Sequence, residues 1–322
     1  MVDGTTITMP DTISNQEIYP QPNFQKEGLE FPICRIVSNI SLATRCIIDT
    51  AISSFSGKGA AEQALLRSML GVFKKGDIIL ADAMYSTYSL LTYVIEHGID
   101  IVFVQNGARS RKTDFNIGEY LGDKDHLMTI KKPKDKPEWM DKKTFKNKPK
   151  EFKIRELKVG GKILIATMLC NKITSAKTIK ELYKNRWNIE VDFRNIKSTL
   201  GLKSFSYKTP KMVLKEMWVY FLAYNFIRTI MLDSAIYNKI FPRQISFKNT
   251  IQLIQSFIFL ELNISSYKKL LYLIGKKIIG NREGRIEPRA IKKRHNGYPL
   301  LMKPRKIAQE EIIKNGHPKK LK

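Results

Sequence analysis

Four polar side chains recur on one face of a helix that the sequence predicts across residues 174–200, a stretch without proline or glycine. At 100° per residue, these four share one narrow stripe: Tyr183, Arg186, Glu190 and Lys197. Apolar residues fill the neighbouring arc, so the stripe follows the edge of the core. Because Glu181 and Asp192 point to the opposite side, Glu190 is the acid that a site at this edge would use. The alternative is an ordinary surface helix in which Arg186 and Glu190 form an i,i+4 pair.

A second acid, Asp82, ends a run of aliphatic residues that begins at Ile78 and is typical of a strand buried on both faces. An unpaired carboxylate there would cost several kcal/mol, so Asp82 must be salt-bridged, hydrogen-bonded or bound to a metal ion. Ligands of open α/β sheets bind at the carboxyl ends of strands, which favours a functional role. Capping of the turn at Ser86 and Thr87 is the structural alternative. Asp3, at the start of a predicted strand over residues 2–9, is less informative by itself.

The spacing of Tyr183, Arg186, Glu190 and Lys197 resembles the Tyr-Arg-Glu-Lys signature of DDE-type transposases from bacterial insertion sequences, specifically the insertion-sequence-four family. Two acidic motifs of that family are matched by the stretches Asp3-Gly4-Thr5-Thr6 and Leu80-Ala81-Asp82. Further similar stretches are Met9-Pro10-Asp11-Thr12 with Asn15-Gln16, Gly57-Lys58-Gly59, Phe205-Ser206-Tyr207 and Glu287-Pro288-Arg289-Ala290. The resemblance therefore covers essentially the whole chain.

The resemblance implies that Asp3, Asp82 and Glu190 are the catalytic carboxylates and bind two Mg²⁺ ions, for which Mn²⁺ can substitute. Paired ions about 3.5–4 Å apart serve the attacking and leaving oxygens of phosphodiester cleavage and strand transfer. Carboxylate oxygens are the ligands that Mg²⁺ prefers. Arg186 and Lys197 would hold DNA phosphates, and Tyr183 would bond to a phosphate or pack beside the backbone. The neighbouring Trp187 is open to two readings, stacking on a base or packing in the core.

The elements that must position these residues predict an α/β fold. Strand Ile78–Met84, helix Ser89–Glu96 and strand Ile99–Val104 form a βαβ unit, which implies a sheet covered by helices. A hairpin around Gly160-Gly161 predicts a β-rich insertion with basic loops. With the resemblance, the prediction is an RNase H-like mixed sheet flanked by helices, with that insertion and a helical, basic C-terminal region. The expected boundaries are 1–106 and 171–237 for the two halves of the catalytic core, 107–170 for the insertion, and 238–322 for the C-terminal region and tail.

The charge of the chain indicates a polyanionic partner. There are 56 Lys and Arg against 30 Asp and Glu, a formal net charge of +26, which points to nucleic acid before an anionic membrane. The three cysteines form no CxxC pair, so neither a disulfide framework nor a zinc site is expected. The most apolar helix, Met217–Ile227, is interrupted by Asn225 and followed by Arg228, so no membrane span is expected. The expected partners are therefore double-stranded DNA, as transposon ends and target, and a second copy of the chain in a homodimeric synaptic complex, in the bacterial cytoplasm with the nucleoid.

One departure from the family concerns the start of the chain, where only Met1 and Val2 precede Asp3. Family members carry a helical DNA-end-binding domain there, so a truncated transposase and a clipped first strand are expected. Two alternatives remain open: another RNase H-like nuclease, and a non-catalytic basic protein that binds nucleic acid. The second explains the charge but not a carboxylate at the end of a buried strand.

Overall fold

The computed structural model describes residues 1–22, 31–57, 59–203, 205–259, 263–279 and 303–316. The chain divides into two compact units, Met1–Lys277 and Ile278–Lys322. The second unit contributes one described helix, α11, at Arg305–Asn315. Lys58, the motif at 287–290 and most of the basic tail from 281 onward lie outside the described residues.

Nine strands are described in the first unit: β1 Val2–Thr8, β2 Ile33–Ile40, β3 Ile47–Ser54, β4 Ile78–Ala81, β5 Asp100–Val104, β6 Glu119–Gly122, β7 Asp125–Lys131, β8 Glu151–Val159 and β9 Lys162–Ala166. Its helices are α1 Ile13–Ile18, α2 Glu62–Ser68, α3 Tyr88–Glu96, α4 Gly107–Ser110, α5 Lys142–Asn147, α6 Ala176–Lys184, α7 Asn188–Arg194, α8 Pro210–Asn238, α9 Phe247–Phe257 and α10 Ile264–Lys276.

The strands form two sheets, one ordered β1-β2-β3 and the other β4-β5-β9-β8-β7-β6. The first is antiparallel throughout, and the second combines the parallel pair β4–β5 with antiparallel neighbours. In the described residues no ladder joins β1 to β4, although their Cα atoms approach within 8 Å. This mixed α/β architecture, with helices packed around the sheets, agrees with the predicted RNase H-like fold.

The predicted βαβ unit is present as β4, α3 and β5. The aliphatic residues of β4 are buried from Ile79 to Ala81, and α3 ends where Gly98 adopts a positive φ of 65°. Glycine reaches this left-handed region at little cost, so the chain can reverse directly into β5.

The predicted hairpin also forms, since β8 and β9 pair from Arg155 with Ala166 to Val159 with Lys162. Strand β9 in turn pairs with β5, so the insertion strands extend the sheet that begins at β4.

The first strand forms close to its predicted range of residues 2–9. β1 comprises seven residues and pairs with β2 along its full length, from Val2 opposite Asn39 to Thr8 opposite Ile33. Its apolar side chains Val2 and Ile7 are almost completely buried, and this burial stabilises the strand. The expectation of a clipped first strand stays a prediction.

The helix that was predicted as one run over 174–200 contains three kinds of helical turn. Ser175 caps α6 through its side chain, which accepts a hydrogen bond from Thr178 N. A 3₁₀ turn at Asn185–Trp187 then leads into α7, and a π turn at Asn195–Thr199 follows it. Because the π turn adds a residue to the helical repeat, a constant 100° per residue no longer holds beyond α7.

The long helix α8 begins at Pro210, whose missing N–H costs nothing in a first helical turn. Asn225, predicted as a polar interruption, bonds through its side-chain amide to both the N–H and the carbonyl of Ile47. It thereby satisfies backbone groups of β3, an edge strand of the first sheet. Within the described ranges, no helix is both long enough and apolar enough to cross a membrane.

Candidate functional site

The two sheets and α7 bring the predicted acidic residues to one corner of the first unit. Asp3 lies in β1, Asp82 directly follows β4, and Glu190 lies in α7. Residues of β1 come within 8 Å, measured between Cα atoms, of residues in both β4 and α7. The three acids, far apart in the sequence, therefore lie on or next to elements that approach one another.

Arg186 joins two of these acids. Its guanidinium contacts Asp3 Oδ2 and Glu190 Oε1, each at 3.2 Å. The Arg186 side chain is only 11% exposed, against 38% for Glu190. The i,i+4 pair with Glu190 thus exists, but the same guanidinium also reaches across to β1, which a plain surface pair would not do.

Asp82 is held by its own turn. Its Oδ1 accepts a hydrogen bond of 2.9 Å from Met84 N and caps the 3₁₀ turn Ala83–Tyr85. Asp82 therefore caps a turn, as the structural alternative predicts. The N–H that it binds is that of Met84, two residues before Ser86. One carboxylate oxygen makes this bond, and the carboxylate remains at the carboxyl end of a buried strand, where ligands of α/β sheets bind.

Burial and neighbouring carboxylates make it harder for Asp3 and Tyr183 to carry a negative charge. Burial raises the pKa of Asp3 to about 6, against opposing effects of the Gly4 N–H and Arg186, and the nearby charges of Asp82 and Glu62 raise it further. Burial also raises the pKa of Tyr183, the positive charge of Arg186 opposes that rise, and Asp82 and Asp3 add to it. These groups therefore lie within electrostatic reach of one another.

Lys197 does not pair with Glu190. Its ammonium donates to Thr5 Oγ1 at 3.0 Å and to the Thr6 carbonyl at 2.8 Å, so it ties the π turn to β1. Burial lowers the pKa of Lys197, and the charge of Lys203 lowers it further. The residue thus helps to position the strand that carries Asp3.

A cleft of about 410 Å³ opens beside Asp3 and Glu190. Its wall includes three cations, Arg194, Lys197 and Lys203, of which only Lys197 belongs to the predicted polar stripe. Arg194 and Lys203 are both exposed. Acids next to basic side chains in one open cleft suit a substrate that carries phosphates.

The donor set is suitable for Mg²⁺, since Asp3, Asp82 and Glu190 offer only carboxylate oxygens. In the part of the chain that the structure describes, however, no three Asp, Glu, His or Cys side chains converge closely enough to hold one ion. The contacts explain this spacing: Arg186 lies between Asp3 and Glu190, and Asp82 turns toward Met84 N. A metal ion would have to replace these contacts.

Two residues of this corner were missed or left open by the sequence. Glu62, at the start of α2, lies within electrostatic reach of Asp3, although its sequence context did not mark it as a site residue. Trp187 is 63% exposed, so the core reading is wrong for it.

Comparison with known proteins agrees with these observations. The family model described as "Transposase DDE domain" matches residues 1–226. A curated relative is the transposase InsG of insertion sequence element IS4 from Escherichia coli (strain K12). It is 24% identical over 320 residues, which cover 94% of this chain and 69% of the relative.

Proposed function

The chain belongs to the transposase DDE-domain family and is an enzyme that acts on DNA, and on that premise we propose that Asp3, Asp82 and Glu190 carry its reaction. The reaction is metal-dependent cleavage and strand transfer at the ends of an insertion sequence. The observation that carries the proposal is the bridge from Arg186 to Asp3 and Glu190, which lie 187 positions apart in the sequence. A cation that binds two acids so distant in the sequence is expected in a site formed by several elements. An ordinary ion pair on the surface of one helix would not include the acid of β1.

Divalent ions fit the charge of this corner. Arg186 is the cation that forms ion pairs with Asp3 and Glu190, and no ion pair to Asp82 or Glu62 occurs among the described side chains. Burial, with a smaller effect of the Asp82 and Glu62 charges, raises the pKa of Asp3. Cations from solution would relieve this excess of carboxylates. Two Mg²⁺ ions, or Mn²⁺, would activate the attacking hydroxyl and stabilise the leaving oxygen.

The side chains around the acids have separate roles in this proposal. Asp3, Asp82 and Glu190 supply oxygen ligands. Arg186, once its carboxylates bind metal, is free to bind a DNA phosphate, for which its planar guanidinium is suited. Lys197 keeps β1 in place through Thr5 and Thr6 and presents its positive charge to the cleft.

Substitution of the acids tests the catalytic assignment. The full chain is incubated with Mg²⁺ and a duplex carrying the DNA that flanks its own coding sequence, and strand cleavage is followed on a denaturing gel. Asp82→Asn and Glu190→Gln keep size but remove charge. Each should reduce cleavage at least about a hundredfold, since even outer-shell partners of metal ligands are worth 10–100-fold.

Glu181→Gln is the matched control, because Glu181 is an exposed acid of α6 and should keep wild-type cleavage. Wild-type rates in the Asp82 and Glu190 variants would reject the assignment. Equal loss in the Glu181 variant would show that helix charge, not the site, is responsible.

A salt titration tests whether Arg186 and the cleft cations bind phosphate. Each lost phosphate contact should flatten the plot of log affinity against log salt by about 0.9. Arg186→Ala and Lys203→Ala are compared with Lys248→Ala, an exposed lysine of α9 that is not among the residues lining the cleft. If the slope of log affinity against log salt were the same in all three variants, Arg186 would bind the acids but not a DNA phosphate.

The proposal includes two copies of the chain acting together on a pair of transposon ends. The support is the resemblance of the Tyr183-Arg186-Glu190-Lys197 stripe to transposases. Light scattering of the purified protein with a duplex of its flanking DNA should give the mass of two chains per complex. A mass of one chain at saturating DNA would contradict this part.

A further inference from the structure

Glu62 of α2 lies directly against the backbone of Gly4, the residue after Asp3. A Cβ atom placed on Gly4 would be 2.3 Å from Glu62 Cδ and 2.5 Å from each of its carboxylate oxygens. Real Cβ atoms do not approach other atoms this closely, so any larger residue at position 4 would expel the Glu62 carboxylate. Gly4 has no positive φ, so a side chain at this position would act by displacing the Glu62 carboxylate and not by straining the backbone.

The same carboxylate is bound from the other side by the turn that follows Asp82. The buried Tyr85 hydroxyl donates to Glu62 Oε2 at 3.1 Å. Tyr85 is the last residue of the 3₁₀ turn that Asp82 caps. Next to Glu62, the Gln63 amide donates to the Met84 carbonyl of that turn. The start of α2 is thus hydrogen-bonded to two successive residues of the Asp82 turn.

The backbone does not provide this connection. Asp3 belongs to the sheet β1-β2-β3, whereas Asp82 follows β4 of the other sheet, and the described residues form no ladder between β1 and β4. The spacing between the two acids must therefore be fixed by side chains. Glu62 contacts both sides, through Gly4 and through Tyr85.

We propose that Glu62 is a positioning residue for the transposase reaction, which sets the spacing of Asp3 and Asp82 by linking Gly4 to Tyr85. The inference rests on the proposed function, since it takes Asp3 and Asp82 as metal ligands. Burial and the Glu62 charge raise the pKa of Tyr85, so its hydroxyl stays protonated and remains a donor.

Two other roles would be consistent with part of this geometry. An acid in the first turn of a helix stabilises the helix electrostatically, which would be a merely structural role. A direct metal ligand would need the negative charge itself. Glu62→Gln separates these from positioning, because the amide fills the same volume and its oxygen still accepts the Tyr85 hydrogen bond.

The test measures Mn²⁺ binding to the full chain by titration calorimetry and, in parallel, the kcat and KM of DNA cleavage. Glu62→Ala and Gly4→Ala should each weaken Mn²⁺ binding about tenfold, and lower kcat with little change in KM for DNA. Glu62→Gln should stay within about threefold of wild type on the same scale. Tyr85→Phe, which removes one hydroxyl, should weaken Mn²⁺ binding less than Glu62→Ala does.

The double variant Gly4→Ala/Glu62→Ala gives the sharpest result. Once the carboxylate is gone, the new Cβ has room, so the double variant should be no worse than Glu62→Ala alone. Losses that simply multiply would show that Gly4 and Glu62 act independently and would overturn the proposal.

The remaining outcomes are equally decisive. A Glu62→Gln variant as impaired as Glu62→Ala would overturn positioning in favour of a charge role. Wild-type Mn²⁺ binding and kcat in Glu62→Ala and Gly4→Ala would also overturn it. If Glu62→Ala does not fold, as judged by circular dichroism, wild-type Mn²⁺ binding and kcat in both Gly4→Ala and Tyr85→Phe would still reject the proposal.

Asp82→Asn separates this inference from the proposed function. If Asp82→Asn binds Mn²⁺ and cleaves like wild type, the metal-site assignment itself fails, whatever Glu62 does. If Asp82→Asn is impaired while the Gly4 and Glu62 variants are not, only the positioning role is lost.

Discussion

The two faces of α7 carry opposite imbalances of charge. On one face Glu190 shares Arg186 with Asp3, and the acids outnumber the cation that pairs with them. On the other face, two residues along, Asp192 Oδ1 accepts hydrogen bonds from both Arg45 at 2.7 Å and Arg228 at 3.1 Å. On this face the guanidiniums outnumber the carboxylate that binds them.

Burial decides what each imbalance can do. The Glu190 side chain is 38% exposed, whereas that of Asp192 is 0% exposed. Ions from solution can neutralise an excess of acid that is open to water. A closed cluster has to be balanced by the protein, and burial lowers the pKa of Arg243 beside it to about 10. We conclude that the Asp192 face anchors the helix and that the Glu190 face is available for chemistry.

The largest effect is expected from Asp192→Asn. The change removes the carboxylate shared by Arg45 and Arg228 and leaves buried guanidiniums without a counter-charge. The free energy of unfolding should fall by about 3–5 kcal/mol. Urea denaturation followed by circular dichroism measures it.

Glu181→Gln, an exposed acid on α6, serves as control and should stay within about 0.5 kcal/mol of wild type. A similar small change in Asp192→Asn would mean that the buried cluster is not an anchor, and the contrast between the two faces would disappear.

A smaller loss is expected from Arg45→Met, which removes a cation from the cation-rich cluster. Asp192 keeps its bond to Arg228, so the guanidiniums that remain keep their counter-charge. The cost should be about 1–3 kcal/mol, from lost hydrogen bonds to a charged group. The same urea titration measures this change. If Arg45→Met lowered the free energy of unfolding as much as Asp192→Asn does, the excess of cations in the cluster would not explain its stability.

The smallest effect should come from divalent ions acting on the acid-rich face. Mg²⁺ at ten times its dissociation constant should stabilise the folded chain by about 1.4 kcal/mol. For a chain of this size the melting temperature should rise by about 2–5 °C relative to EDTA. Asp192→Asn should keep this increase and Asp82→Asn should lose it, as measured by differential scanning calorimetry. Equal melting temperatures of the wild type in Mg²⁺ and EDTA would argue against a metal site.

Local patterns were sufficient to predict much of the fold. The aliphatic run before Asp82 and the glycines that join β8 to β9 are signals carried within a few residues, and the predicted strand and hairpin both formed. The i,i+4 relation of Arg186 and Glu190 was also readable, because both residues precede the π turn. The roles of Asp3, Asp82 and Glu190 stay predictions.

What escaped the sequence depends on distant partners. Asp192 was interpreted only as pointing away from the stripe, since Arg45 lies 147 positions away and Arg228 lies in another helix. Glu62 gave no signal, because its relation to Gly4 and Tyr85 exists only after β1, α2 and the Asp82 turn have packed together. Periodicity within one helix cannot show which element packs against it.

The π turn at Asn195–Thr199 makes the length of this helix as important as its residue types. It is closed by the bond from Leu200 N to the Asn195 carbonyl, five residues apart. Deleting one residue there would restore an α-helical repeat and rotate everything beyond it by about 100°. Lys197 or its replacement would then leave Thr5 and Thr6, and Leu202 would leave the core. Sequences that share this site should therefore keep the six-residue interval that separates the acid from the lysine.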